Sequence, residues 1–319
     1  MEHGVWRMEH NGSPHCGVEI FFNGELEDLL PETGKEKYIT VESRGKRSVK
    51  DLVQSMGVPH TEVGGIRVND AWVEFSYLLR DGDRVDVFPI SPRAKTADNP
   101  LLHRCEPFKN PGFVCDVHLW KLARRLRLLG FDTRFNPGWD DADLADISQK
   151  ERLILLTRDR GLLMRNKVTR GLLIRKTDPE KQVEEVLRRL EIDKNVRPFT
   201  RCLVCNGILE PAALEGEFFE KKLKAHIPPG VLEWCKEYHF CPSCEKVFWK
   251  GSHYEKLIGL VEKYLGELEG GRQCQPPCVR FVGNWHCLFP TFILFIQPLP
   301  VLNPSTGNRE AGRTLRNPG

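Results

Sequence analysis

What this chain of 319 residues lacks most plainly is a long apolar run. The longest candidate, WHCLFPTFILFIQPLPVL from Trp285, is broken by Pro290, Pro298 and Pro300. Its uninterrupted centre falls far short of the roughly 18 apolar residues that a membrane helix needs, so no membrane span is expected. Also missing is an N-terminal segment that joins a basic start, an apolar core and a small-residue cleavage site. Export is therefore not indicated, and a cytoplasmic location is expected. In such a reducing compartment the eleven cysteines are not expected to form a disulfide framework. Acid is nearly absent from residues 271–319, which hold seven prolines, Glu310 as their single carboxylate and no period; an irregular tail is expected there.

What is present is unevenly spread. The net charge of +3 hides a contrast: residues 1–107 carry 13 Lys/Arg against 18 Asp/Glu, whereas residues 108–200 carry 20 against 14. The middle of the chain is its basic part. Within the acidic part, VEIFF (18–22) reads as a strand and SVKDLVQSMG (48–57) as a short helix capped by Ser48 and stopped by Gly57. IRVND, WVEFS and RVDVFPI read as further strands, separated by Asn69-Asp70 and Asp81-Gly82-Asp83 turns. That order of strands around one helix is the order of a β-grasp module. A polar linker without periodicity, SPRAKTADNP (91–100), follows.

The basic part alternates strand and helix. FVCD (113–116), DTRF (132–135), LILLT (153–157) and GLLIR (171–175) read as strands. Between and after them lie helical stretches at 117–130, at 141–151, after Asp159, and from Asp178 to about Leu190. Such alternation argues for a parallel sheet covered by helices.

In a sheet of this kind ligands bind just outside the carboxyl ends of the strands. Asp116 and Asp159 fall there, as does the cluster Asp140, Asp141 and Asp143 that opens a helix. Any one of them reads equally as a helix N-cap. Gathered at one sheet edge, however, several carboxylates repel one another unless cations neutralise them, and hard divalent ions such as magnesium or manganese prefer oxygen ligands. Two such ions can activate water and stabilise both oxygens of an in-line phosphoryl displacement. Lys121, Arg124, Arg127, Arg158, Arg160, Arg165 and Lys167 lie around this edge, where they either engage the phosphates of a polyanion or form a solvated basic face.

The cysteine pattern is more specific. Cys202-x-x-Cys205 and Cys241-x-x-Cys244 are two knuckles separated by 35 residues. Four thiolates so spaced make a closed, structural zinc site. A redox reading of either pair is weaker, since neither opens a helix after a strand as a thioredoxin-like motif does. FWKGSH follows the second knuckle, and His253 within it either reaches a phosphate or packs the zinc module.

FVCDVHLWKLARRLRLLGFDT, the Asp140-Asp141 pair, ERLILLTRDRGLL, RCLVCNGIL and FCPSCEKVFWKGSH occur in that order, and together they resemble the Mut-seven C-terminal RNase family. The resemblance implies a PIN-like parallel sheet with flanking helices that ends in a zinc ribbon. It further implies magnesium- or manganese-dependent cleavage of RNA, with Asp116, Asp141 and Asp159 as the acidic residues. Residues 18–89 resemble the ubiquitin-like β-grasp module of bacterial members, itself similar to small sulfur carriers. A carrier works through a free Gly-Gly terminus, which Phe88-Pro89-Ile90 replaces here with a continuing chain.

These readings divide the chain into a β-grasp (α+β) domain at 16–91, a linker at 92–110, a PIN-like α/β domain at 111–197, a zinc ribbon at 198–265 and an irregular tail at 266–319. The sequence carries no aromatic RNA-reading motif of the RNA-recognition type, so which RNA is bound stays open. A reading of another class also stays open: a non-catalytic RNA-binding or adaptor protein, its acids acting as caps and ion-pair partners and its β-grasp domain recruiting a protein.

Overall fold

The computed structural model describes residues 17–269 apart from 36, 43–45, 92–94, 102–109, 213–215, 218 and 252–253. The acidic N-terminal part forms a five-stranded mixed sheet of β1 (Val18–Phe22), β2 (Ile39–Val41), β3 (Val63–Val68), β4 (Ala71–Trp72) and β5 (Arg84–Pro89), in the order β2-β1-β5-β3-β4. Its central pair β1 and β5 is parallel, with Ile20 opposite Val85 and Phe22 opposite Val87. Alternation puts Val18, Ile20 and Phe22 inside and leaves Glu19 in solvent. Helix α1 (Val49–Ser55) buries Val49, Leu52 and Val53 and is capped by Ser48, whose side chain accepts from the Asp51 N–H. Asn69 and Asp70, both at positive φ, make the tight β3–β4 turn, as a two-residue hairpin of this hand requires.

WVEFS does not continue as a strand. β4 stops at Trp72, and the chain turns so that the carbonyls of Phe75 and Tyr77 accept from the N–H groups of Lys50 and Val49. The open donors at the start of α1 are thereby satisfied, which outweighs two more rungs on an edge strand.

The basic part forms four parallel strands, β6 (Gly112–Cys115), β7 (Asp132–Arg134), β8 (Ile154–Thr157) and β9 (Gly171–Leu173), in the order β7-β6-β8-β9. Helices α2 (Trp120–Leu128), α3 (Asp141–Glu151), α4 (Arg160–Met164) and α5 (Pro179–Leu190) connect and cover them. Phe113, Cys115, Ile154 and Leu156 pack on α2 and α5. On the other face, Val114, Leu155 and Leu173 pack on Leu144 and Ala145 of α3 and on Leu162 and Leu163 of α4, within a core continuous with the β-grasp residues Val58, Val63 and Ile66. Burial on both faces is why LILL reads as an unbroken apolar run. Gly130 ends α2 at φ +90, and a Cβ there would lie 2.0 Å from the Arg197 carbonyl oxygen.

The two sheets are joined by ion pairs out of water. Glu62 has a fully buried side chain; its carboxylate accepts from Arg189 Nη2 at 2.6 Å, from Arg175 Nη2 at 3.1 Å and from the Leu173 N–H at 2.7 Å. Arg189 reaches back to Glu25 at 2.9 Å. Every oxygen and most N–H groups in this cluster have a partner, the condition under which buried charge is tolerated.

The C-terminal part adds an antiparallel sheet of β10 (Glu210–Ala212), β11 (Tyr238–Phe240) and β12 (Val247–Trp249), with α6 (Pro229–Trp234) and α7 (Tyr254–Glu269). α7 runs beyond 266, where an irregular tail was expected to begin. Leu257, Ile258, Val261, Tyr264 and Leu265 give it a helical apolar face that packs on the main core. The rest of the expected tail, from residue 270, lies outside the described residues.

Candidate functional site

Asp116 and Asp159 stand at the carboxyl ends of the two central strands, β6 and β8. The link between them is Thr157, whose buried hydroxyl donates to Asp116 Oδ2 at 2.8 Å and accepts from the Asp159 N–H at 3.0 Å. Asp159 is also the N-cap of α4, its Oδ1 accepting from the N–H groups of Gly161 at 2.6 Å and Leu162 at 3.4 Å. Asp140 caps α3 in a reciprocal box with Asp143. Asp141, exposed in the first turn of α3, pairs with Arg165 at 3.2 Å.

The acids are hard oxygen donors suited to magnesium or manganese. Among the described residues, though, the one group of three or more possible ligands lying within 4.8 Å of one another is made of cysteines. In the structure the Thr157 hydroxyl joins the Asp116 carboxylate to the Asp159 backbone N–H, while the carboxylates of Asp141 and Asp159 hold other partners.

The basic residues divide by burial. Lys121, Arg124 and Arg158 are exposed, and Arg158 has no ion-pair partner among the described residues. Arg160 donates to the Leu29 carbonyl of the β-grasp domain at 2.9 Å, Arg165 is held by Asp141, and Lys167 pairs with Asp146 at 2.6 Å. Arg127, expected to bind substrate, faces the other way. It is buried, and its guanidinium donates to the carbonyls of Thr133 at 2.9 Å and Val204 at 2.8 Å. The apolar neighbours of Arg127 on α2 carry it inward, where it ties the first knuckle to β7. His253 lies outside the described residues.

Two residues at this edge escaped the sequence reading. Thr157 ends a core strand with a hydroxyl, a signal visible in LLTRD. Trp120, 50% exposed, sits four residues after Asp116 with Lys121 Nζ at 5.4 Å from its ring. An exposed tryptophan beside a basic residue offers a stacking surface for a nucleobase.

The cysteine centre is built by backbone. Each knuckle places a residue at positive φ after its second cysteine, Asn206 in one and Glu245 in the other. The Asn206 and Glu245 N–H groups donate to the Cys202 and Cys241 carbonyls at 2.9 and 2.8 Å. The sulfurs of Cys202 and Cys244 are then 3.6 Å apart and those of Cys205 and Cys241 3.3 Å. A tetrahedron with zinc–sulfur bonds of about 2.3 Å has edges near 3.8 Å, so the four residues fit zinc. Burial pushes the Cys202 thiol up to about 11 and that of Cys244 above the usual thiol range; a divalent cation reverses such shifts by favouring the thiolates. The knuckle is fastened to β7 as well: Asn206 accepts from the Thr133 N–H at 2.9 Å and donates to Asp132 at 2.7 Å.

A PIN-like α/β domain carrying a four-cysteine ribbon and preceded by a β-grasp domain is the class that this fold and site define. Residues 111–261 match the family model described as Mut7-C RNAse domain, and residues 15–95 match that described as Mut7-C ubiquitin. The chain belongs to the Mut7-C family. No curated protein and no solved structure matches it. Among the described residues, no helix is long and apolar enough to cross a membrane.

Proposed function

We propose that the protein is a divalent-metal-dependent ribonuclease that acts at the carboxyl edge of its parallel sheet. The observation that supports this reading is the Thr157 hydroxyl, which joins the Asp116 carboxylate to the main chain of Asp159 at the ends of two neighbouring strands in a domain matching an RNAse model. Asp116, Asp141 and Asp159 would hold magnesium or manganese, with Asp140 and Asp143 fixing the start of α3. When bound, the metal would supply charge neutralisation and water activation for phosphodiester hydrolysis. The chain's own part is to orient. Thr157 fixes the Asp116 carboxylate, Arg158 and Lys121 position phosphates, and Arg124 and Arg160 add positive potential along the approach. The zinc of Cys202, Cys205, Cys241 and Cys244 would be structural. We divide the chain at the boundaries read from its sequence, with α7 added to the ribbon. Its place of work would be the cytoplasm, in keeping with described cysteines that are all free thiols.

One observation favours the non-catalytic alternative: Asp140 and Asp159 each commit a carboxylate oxygen to capping a helix. An adaptor would bind RNA through the same basic edge and offer the outer face of its β-grasp domain to a protein partner. The test is incubation of the full chain with labelled single-stranded and structured RNA, with and without added manganese or magnesium. The nuclease cleaves only with the metal and loses cleavage in Asp159→Asn. An adaptor binds equally in every tube and cuts in none.

A further inference from the structure

Beside the acids, at the ends of β8 and β9, the β-grasp and nuclease domains line a half-open cleft of about 430 Å³. Its walls are Glu25, Asp28 and Leu29 from the β-grasp side, Arg158 and Arg160 after β8, Arg175 and Lys176 after β9, and Glu185 and Arg188 from α5. Five cationic side chains thus face three acidic ones.

The acids are already committed. Glu25 is bound by Arg189 at 2.9 Å and lies 3.7 Å from Arg188; Asp28 is paired with Arg175 at 3.2 Å. The Glu185 carboxylate accepts from the N–H groups of Arg175 at 3.2 Å and Lys176 at 3.1 Å. Of the cations, neither Arg158 nor Lys176 has an ion-pair partner among the described residues, and Arg160 spends one N–H on a neutral carbonyl. The cavity therefore keeps unneutralised positive charge on its walls. A pocket in which the carboxylates are spoken for and the cations are not is complementary to an anion of phosphate size.

We infer that this cavity is a phosphate subsite, in which Arg158 and Lys176 grip an RNA phosphate next to the one being cut, with the β-grasp segment 24–29 as its outer wall. The strand order carries the placement: Asp116 ends β6, Asp159 follows β8, and Lys176 follows β9, so a polynucleotide crossing the sheet edge from Trp120 passes the acids before it reaches the cavity. The inference rests on the ribonuclease reading and adds to it a role for the β-grasp domain, which shapes the substrate channel instead of merely preceding it.

The test measures binding, not cleavage. Full-length chain carrying Asp159→Asn, without added divalent ions, is titrated into fluorescein-labelled single-stranded RNA over a series of salt concentrations. Adding Lys176→Ala should weaken binding by about threefold to tenfold and make the salt dependence shallower by about 0.7, the value for one lost phosphate contact on a single strand. Lys176→Arg should restore both. Lys150→Ala, at the opposite edge of the sheet, should change neither. Because Lys176 is exposed, thermal melting should confirm that each variant is folded. Repeating the titration with 5′-hydroxyl and 5′-phosphate oligonucleotides separates the sources: a loss confined to the phosphorylated strand assigns the subsite to a terminal phosphate, an equal loss on both to an internal one. A Lys176→Ala slope equal to the parent's overturns the subsite while leaving the ribonuclease reading intact. A parent that binds no RNA overturns both.

Discussion

The cysteine centre and the acidic edge both draw together side chains from distant parts of the chain, and they do so to different degrees. At the cysteines the backbone does the gathering: two knuckles, each fixed by its own hydrogen bonds and a positive-φ residue, bring four sulfurs within 4.8 Å of one another. At the acidic edge the strands bring Asp116 and Asp159 to neighbouring positions, but the carboxylates of Asp159, Asp140 and Asp141 are held by helix N–H groups and by Arg165. A structural site is organised by the fold. The proposed catalytic edge, which would have to admit substrate and exchange cations, has its acids on side chains that hold other partners meanwhile.

The sharpest way to break this comparison is at the cysteines. Cys241→Ser should abolish stoichiometric zinc, read by elemental analysis, and unfold the ribbon, since structural zinc contributes on the order of 10–16 kcal/mol in small zinc modules. A zinc-free variant that keeps its circular dichroism and melting temperature would place the ribbon's stability elsewhere. Next in size is Arg127→Ala, which strands the buried carbonyls of Thr133 and Leu203; a loss of roughly 3 kcal/mol is expected in denaturant unfolding. Retained stability would mean that Arg127 is surplus to the docking and return it to the substrate face.

Smaller in stability but decisive in activity is Asp159→Asn. As a cap the asparagine should serve within about 0.5 kcal/mol, so melting should hardly move. Because the loss of second-sphere partners alone costs about 10–100-fold in metal sites, loss of a ligand should lower manganese-dependent RNA cleavage by more than the upper end of that range. Unchanged cleavage would reduce the acidic edge to a set of well-made caps. The smallest effect belongs to Arg165→Ala. Its exposed pair with Asp141 is worth at most about 1 kcal/mol, and removing it should leave Asp141 free and lower the manganese concentration for half-maximal cleavage severalfold. A rise in that concentration would show that Arg165 assists the site.

Much of this was legible in the sequence because it depends on neighbours. The α3 boundaries at Asp141 and Glu151, the β1 boundaries and both knuckles follow from period, caps and spacing, all local signals. Arg127 was misread because its helix face is set by packing against a ribbon 76 residues away, and a basic residue in a basic helix gives no sign of burial. The same holds for Glu62 and Arg189, ordinary surface types that meet across 127 residues. α7 hid behind the proline-rich residues that follow it. At the acidic edge, placement at strand ends was readable; which oxygens face a common point was not, because that is decided by rotamers and their competing partners.

The grip of Asn206 and Arg127 on Thr133 has a further consequence. Thr133 lies in β7, the outermost strand of the parallel sheet, and both its N–H and its carbonyl are taken by these side chains. Were the ribbon to lose its metal and come away, Arg127 of α2 would still hold the Thr133 carbonyl, but the Thr133 N–H would be bared on the edge strand, a starting point for pairing with a strand from a second chain. A zinc held by the four cysteines would on that account also safeguard solubility, and a metal-starved preparation should announce itself first by self-association.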